Sequence, residues 1–192
     1  MNVRRVIAFG AVAILALGTA PLLAQSRPER PGSDHMMPMD VGRHFIEQMI
    51  PHHEGAVAMA KLALEKSKRP EIKTLAGAII KSQTKEIEDM TGWYKNWFGK
   101  DVIKGGVGMM GGGMMSTSGM HMGGQEDMKI LETAADFDKA FIEAMIPHHQ
   151  LALMMVQMLE AGTNRPEMIQ LAKNIAVSQS KEINDMQGWY KQ

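Results

Sequence analysis

Along most of the chain the apolar positions recur three and four residues apart. Met49, His52 or His53, Ala56 and Met59 or Ala60 keep this rhythm in one stretch, and Ile72, Leu75, Ala76, Ile79, Gln83, Glu86, Ile87 and Met90 keep it in the next. That is the period of a helix with one buried face, and no segment shows the two-residue alternation of a half-buried strand. Asp40 precedes the first stretch, which runs to about Lys66, and its side chain suits the exposed amides of a first helical turn. Pro70 and Glu71 open the second stretch. In a first turn the missing amide hydrogen of proline costs nothing and a carboxylate favours the helix dipole. The two stretches predict a helical hairpin.

The hairpin occurs twice. Residues 45–95 align without a gap onto residues 141–191, at a constant offset of 96, with 27 of 51 positions identical. Asp136, Pro166 and Glu167 stand where Asp40, Pro70 and Glu71 stand, and the second copy's first apolar stretch runs to about Ala161. Two such hairpins predict an all-α protein, an antiparallel up-down-up-down four-helix bundle over residues 40–192, with repeats at 40–98 and 136–192. A segment at 99–127 joins them. Within it, residues 105–124 hold nine Gly, six Met, one His and no charged residue, a composition that disfavours helix and strand alike and predicts a long loop.

The most specific string of the duplication is Phe-Ile-Glu-x-Met-Ile-Pro-His-His, at 45–53 and 141–149. Pro51 and Pro147 fall about ten residues into their helices, where each removes the amide that would bond the carbonyl of Glu47 or Glu143, at a cost on the order of 3 kcal/mol. Such a kink either opens room beside the histidines or is simply tolerated by tertiary packing. Adjacent residues point about 100° apart on a helix, so one histidine of each pair is expected to face inward while the other borders it. Counting away from Pro70 along an antiparallel partner brings Gln83, Glu86 and Met90 alongside. His52 is therefore expected beside Glu86, and His148 beside Glu182.

Composition adds 20 Met and no Cys. Without thiols, soft-metal chemistry has to use thioether sulfur and imidazole nitrogen. The candidate metal ligands on the helices are Met49, His52, His53, Met59 and Met90, and in the second copy Met145, His148, His149, Met155 and Met186. Outside the helices they are His35, Met36, Met37, Met39, Met120, His121 and Met122. Neutral nitrogen and sulfur donors suit Cu(I) first, then Ag(I) and, through the histidines, Cu(II); Mg, Ca and Mn sites need mainly oxygen. Glu86 and Gln83 can fix a histidine tautomer from behind.

Methionine is also an adaptable core residue, so a structural or partner-binding bundle with a Met-rich core competes with this reading. A metal oxidase is the less favoured third. Di-iron bundles use Glu-x-x-His motifs, which this chain lacks, and its Gly run has neither the Lys nor the spacing of a phosphate loop. The chemistry favours binding over catalysis.

Residues 1–24 carry Arg4 and Arg5, an apolar run from Val6 to Leu17 and then small residues up to Ala24, the pattern of a secretory signal peptide. This predicts a periplasmic or secreted protein, with no stable membrane insertion after cleavage. Residues 25–39 are rich in Pro, Arg and Gly and read as a flexible tether. Without the leader, 19 basic residues face 21 acidic ones, which gives no electrostatic case for nucleic acid.

The Phe-Ile-x-x-Met-Ile-Pro-His-His start, the Ala and Met that follow it, and the Gln-x-x-Glu-Ile-x-x-Met pattern at 83–90 and 179–186 resemble a ferritin-like family of domains of largely unknown function, one of whose members is a periplasmic copper-resistance protein. The likeness covers nearly all of residues 35–191. It implies an antiparallel helical bundle that binds copper in the periplasm. Together with the donor chemistry, the reading is a protein that sequesters Cu(I) for copper resistance or trafficking, with copper ions and copper efflux or delivery proteins as expected partners.

Overall fold

The computed structural model describes residues 40–102 and 125–191. The expected leader at 1–24, the tether at 25–39 and the Gly/Met-rich stretch lie outside the described residues. So do His35, Met36, Met37, Met39, Met120, His121 and Met122.

Every element among the described residues is a helix: α1 (Val41–Lys66), α2 (Pro70–Phe98), α3 (Gln125–Thr133), α4 (Phe137–Gly162) and α5 (Pro166–Tyr190). Local chemistry sets their ends. The Asp40 side chain accepts from the Arg43 amide at 2.9 Å, and Asp136 accepts from the Lys139 amide at 3.1 Å. Pro70 and Pro166 open α2 and α5. Gly99 ends α2 in the left-handed region, at φ 66°, where its amide donates to the Lys95 carbonyl. α1 and α4 continue through Pro51 and Pro147.

α1 packs along α2, α4 packs along α5, and α1 and α4 face one another. The C-terminal end of α1 meets the N-terminal end of α4: Lys66 Nζ donates to the Glu132 carbonyl at 2.6 Å, and the Lys68 amide donates to Asp138 at 3.3 Å. At the opposite end, a Cβ on Gly162 would come within 2.8 Å of the Val41 side chain, and Arg165 bonds Asp40 at 3.1 Å. α4 therefore runs antiparallel to α1, and the four long helices form a bundle of two hairpins in up-down-down-up order. The expected up-down-up-down order assumed that α4 starts at the end where α2 stops. The connection instead has to regain the far end of α2, whose 29 residues span about 43 Å, and its length allows that.

Part of that connection is α3, a helix where the sequence pattern suggested none. Leu131 buries it against the bundle, with Met128 half-buried one turn earlier.

The duplication gives the core two halves related by a pseudo-twofold axis across the helices. One cluster joins Met59, Ile72, Ile79, Phe141, Met145 and Met186; the other joins Phe45, Met49, Met90, Tyr94, Val156 and Leu171. Each draws on all four long helices, and burying a side chain of this size stabilises by roughly 1.5–3 kcal/mol. No helix of the described residues is long and apolar enough to cross a membrane.

Candidate metal centre

The two Pro-His-His strings meet near the middle of the bundle. α1 has one neighbour in α2 and another in α4, and successive residues on a helix differ by about 100° in direction. The first histidine of a pair therefore faces the opposing repeat, while the second faces its own hairpin partner. All four are buried: His52 is 9% exposed, and His53, His148 and His149 are 0% exposed. The expectation that only one histidine of each pair turns inward is corrected, because a helix with two neighbours has two inward directions.

His53 Nε2 lies 2.7 Å from Glu86 Oε2, and His149 Nε2 lies 2.6 Å from Glu182 Oε2. Glu86 and Glu182 do stand at the expected height, but their partners are the second histidines and not His52 and His148. Counting residues along the hairpin gives height; direction around the helix decides the pairing. His52 instead points across the pseudo-twofold axis, with Nε2 3.1 Å from the His148 carbonyl oxygen and the two rings 3.7 Å apart between centroids.

These partners determine where the protons sit. A carbonyl or carboxylate oxygen accepts, so Nε2 carries the donated hydrogen in His52, His53 and His149. In the neutral ring Nδ1 is then a bare lone pair. Those three Nδ1 atoms, and both ring nitrogens of His148, are buried without a hydrogen-bond partner. Burial holds the His52 pKa down to about 3, reinforced by His53 and His149, and holds that of His148 down to about 2, reinforced by His52, His149 and His53. Both rings are neutral at ordinary pH, the form that ligates metal.

Thioethers flank the rings. Met49 and Met145 precede their histidines by one turn and are 0% exposed, as are Met90 and Met186 from the facing helices. Met59 is 1% exposed and packs in the cluster of Met145 and Met186. Met155, its repeat partner, is half-buried against the other cluster. Gln83 and Gln179 are buried at 2% exposure, with Gln83 Oε1 and both polar atoms of the Gln179 amide unpartnered. The repeat offset of 96 equates Gln179 with Gln83, and the structure buries both. Glu86 reaches a groove of about 970 Å³ between α2 and α5, which is also lined by Lys81, Trp93, Leu171 and Asn174.

Among the described residues, no three His, Asp or Glu side chains stand together as a ready cage for a metal ion. Among the described residues the donors that meet here are imidazole nitrogens and buried sulfur, and the carboxylates of Glu86 and Glu182 are engaged by His53 and His149. Its unpartnered nitrogens and thioethers fit a soft ion and do not fit a hard one.

The chain is similar to CopM, 45% identical in its Cu(II)-bound form with a TM-score of 0.69, over 78% of this chain and 95% of that one. In its Cu(I)-bound form CopM is 41% identical, with a TM-score of 0.67, over 78% and 95%; Ag-bound forms of CopM also match. A DUF305 fragment from Deinococcus radiodurans is 28% identical, with a TM-score of 0.64, over 79% of this chain and 95% of the fragment. Uncharacterized protein L153 of Acanthamoeba polyphaga mimivirus is 43% identical over 49 residues, 26% of this chain; the match spans 32% of that relative's length. The domain of unknown function DUF305 matches residues 42–190, nearly the whole of the bundle, and the chain belongs to that family.

Proposed function

We propose that the chain binds copper, taking Cu(I) in preference to Cu(II) and Ag(I) as its analogue, and sequesters it for copper resistance or trafficking in the periplasm or outside the cell. One observation carries this reading: five buried ring nitrogens without a hydrogen-bond partner, beside thioethers that are fully buried. An unpaired buried polar atom costs roughly 1–3 kcal/mol, so a packing role alone accounts poorly for five of them. The similarity to CopM, solved with Cu(II), Cu(I) and Ag, supports it.

His52, His53, His148 and His149 would supply nitrogen, and Met49, Met145, Met90 and Met186 sulfur. Met59, Met155 and the methionines and histidines of residues 35–39 and 120–122 extend the donor set. Loading His52 or His148 displaces no proton, because burial already holds both rings neutral. The role is storage and hand-over, with efflux or delivery proteins as recipients, and not turnover. Anaerobic competition against a Cu(I) chelator tests this: Cu(I) and Ag(I) should bind far more tightly than Zn(II), and His149→Ala should weaken them. Equal Zn(II) affinity would refute the soft-donor reading, and sustained oxygen consumption by the copper-loaded protein would refute storage.

A further inference from the structure

Two methionines of α4 belong neither to the core nor to the duplicated pattern. Met154 is 55% exposed and Met158 is 71% exposed, one helical turn apart. Burial stabilises in proportion to the area removed from water, so packing does not account for apolar side chains this exposed. Their counterparts 96 residues earlier are Ala58 and Leu62, which makes the pair a property of the second repeat alone. Between Glu143 and Glu160 the α4 sequence carries no charged residue, whereas the same stretch of α1 holds Glu54 and Lys61.

The pair also has a direction. Met155 is half-buried next to Met154, and it follows His148 by seven residues, which returns it to within about 20° of the same side of the helix. Sulfur thus runs from Met158 and Met154 in solvent to Met155 at the boundary, which packs against the core cluster that holds Met49 and Met90. Side chains four apart on a helix have Cβ atoms about 5–6 Å from each other, and methionine's rotatable bonds let two sulfurs close on one ion. Thioethers select soft cations and offer little to Zn(II) or harder ions.

We propose that Met154 and Met158, with Met155 as a third sulfur, form a separate solvent-facing site for a soft monovalent cation, Cu(I) or Ag(I), and that the ion passes from it toward the buried histidines. The passage is ligand exchange: one thioether leaves as the next donor arrives, with no change of oxidation state. Capture stands on the exposed sulfurs alone, while passage inward rests on the function proposed above.

Full-length protein labelled with ¹³C at the methionine methyl groups, titrated with Ag(I), tests it. The Met154 and Met158 methyls, assigned through Met154→Leu and Met158→Leu, should shift before saturation. The double variant should stay helical by circular dichroism, bind fewer Ag(I) ions and load the buried methionines more slowly. Methyls of Met154 and Met158 that stay still up to saturation would overturn the proposal, and so would an equal shift with Zn(II). Shifts that follow protein concentration without Ag(I) would also overturn it and would assign the face to a second copy of the chain. If Met154 and Met158 respond while Met49 and Met145 never do, capture stands and the buried-site reading falls; the converse result removes the capture site alone.

Discussion

At the scale of single residues, the centre turns on a mismatch between what a buried histidine has and what its surroundings offer. Each ring has two nitrogens, and Glu86 and Glu182 each engage only one, the Nε2 of His53 and of His149. Removing that carboxylate, as in Glu86→Ala or Glu182→Ala, strands a buried N–H and should lower stability by about 1–3 kcal/mol in urea denaturation. It also frees the ring to turn and to change tautomer, so Cu(I) affinity should fall about 10- to 100-fold in chelator competition. Glu86→Gln keeps an acceptor oxygen and should retain most of both. A stability loss with unchanged affinity would assign the carboxylates to packing alone. The Met-x-x-His-His strings and the level of Glu86 were legible in the sequence, because spacing along a helix translates directly into height. Which histidine meets the carboxylate was not, since a step of 100° selects between neighbouring helices that the sequence does not name.

At the scale of elements, the helix starts and turns were legible because their chemistry is local. Asp40, Asp136, Pro70 and Pro166 each sit at the predicted end. The direction of α4 was not legible: it depends on contacts such as Lys66 with Glu132 and Val41 with Gly162, which lie far apart in sequence. The same end-to-end contacts make the two equivalent caps unequal. Asp136 caps α4 through Lys139, whereas Asp40 caps α1 through Arg43 and also holds Arg165 at 3.1 Å. Arg165 in turn lies 4.1 Å over the Trp97 ring, so Asp40 helps to seat a cation–π contact that ties α5 to α2. Asp136→Ala should cost about 1 kcal/mol, the ordinary value of a cap. Asp40→Ala should cost more, by up to about 1 kcal/mol for the partly exposed ion pair, and high salt should narrow the difference. Equal losses in denaturant titrations at low salt would show that the Arg165 contact contributes nothing.

For the molecule as a whole, the buried pair of His52 and His148 couples folding to acidity. Burial holds His52 and His148 to pKa values of about 3 and about 2, whereas in the unfolded chain both titrate near 6.5. Between those limits the unfolded state binds protons that the folded state refuses, so stability rises with pH across the window and falls as the solution is acidified below about 6.5. Above that pH both states are neutral at these rings, and neither histidine makes stability depend on pH. Each contributes a slope that approaches about 1.4 kcal/mol per pH unit once the unfolded histidine is mostly protonated, so the pair together should remove about 3 kcal/mol between pH 6.5 and pH 5. The loss should begin well above the range in which ordinary carboxylates take up protons, which separates it from general acid unfolding. Denaturant midpoints of the metal-free protein between pH 8 and pH 5 test this, and they should be flat above pH 7 and descend below it. In His52→Gln/His148→Gln the descent should largely disappear, because glutamine does not titrate. Ag(I) affinity, by contrast, should hardly change between pH 7 and pH 5 for the protein that remains folded, since protons compete poorly for rings held near pKa 2 to 3. Metal should therefore offset the acid loss and raise the midpoint at pH 5 through mass action on the folded state. A midpoint that stays level from pH 7 to pH 5 without metal would mean that the folded protein accepts protons at these rings, and the buried neutral pair would have to be abandoned.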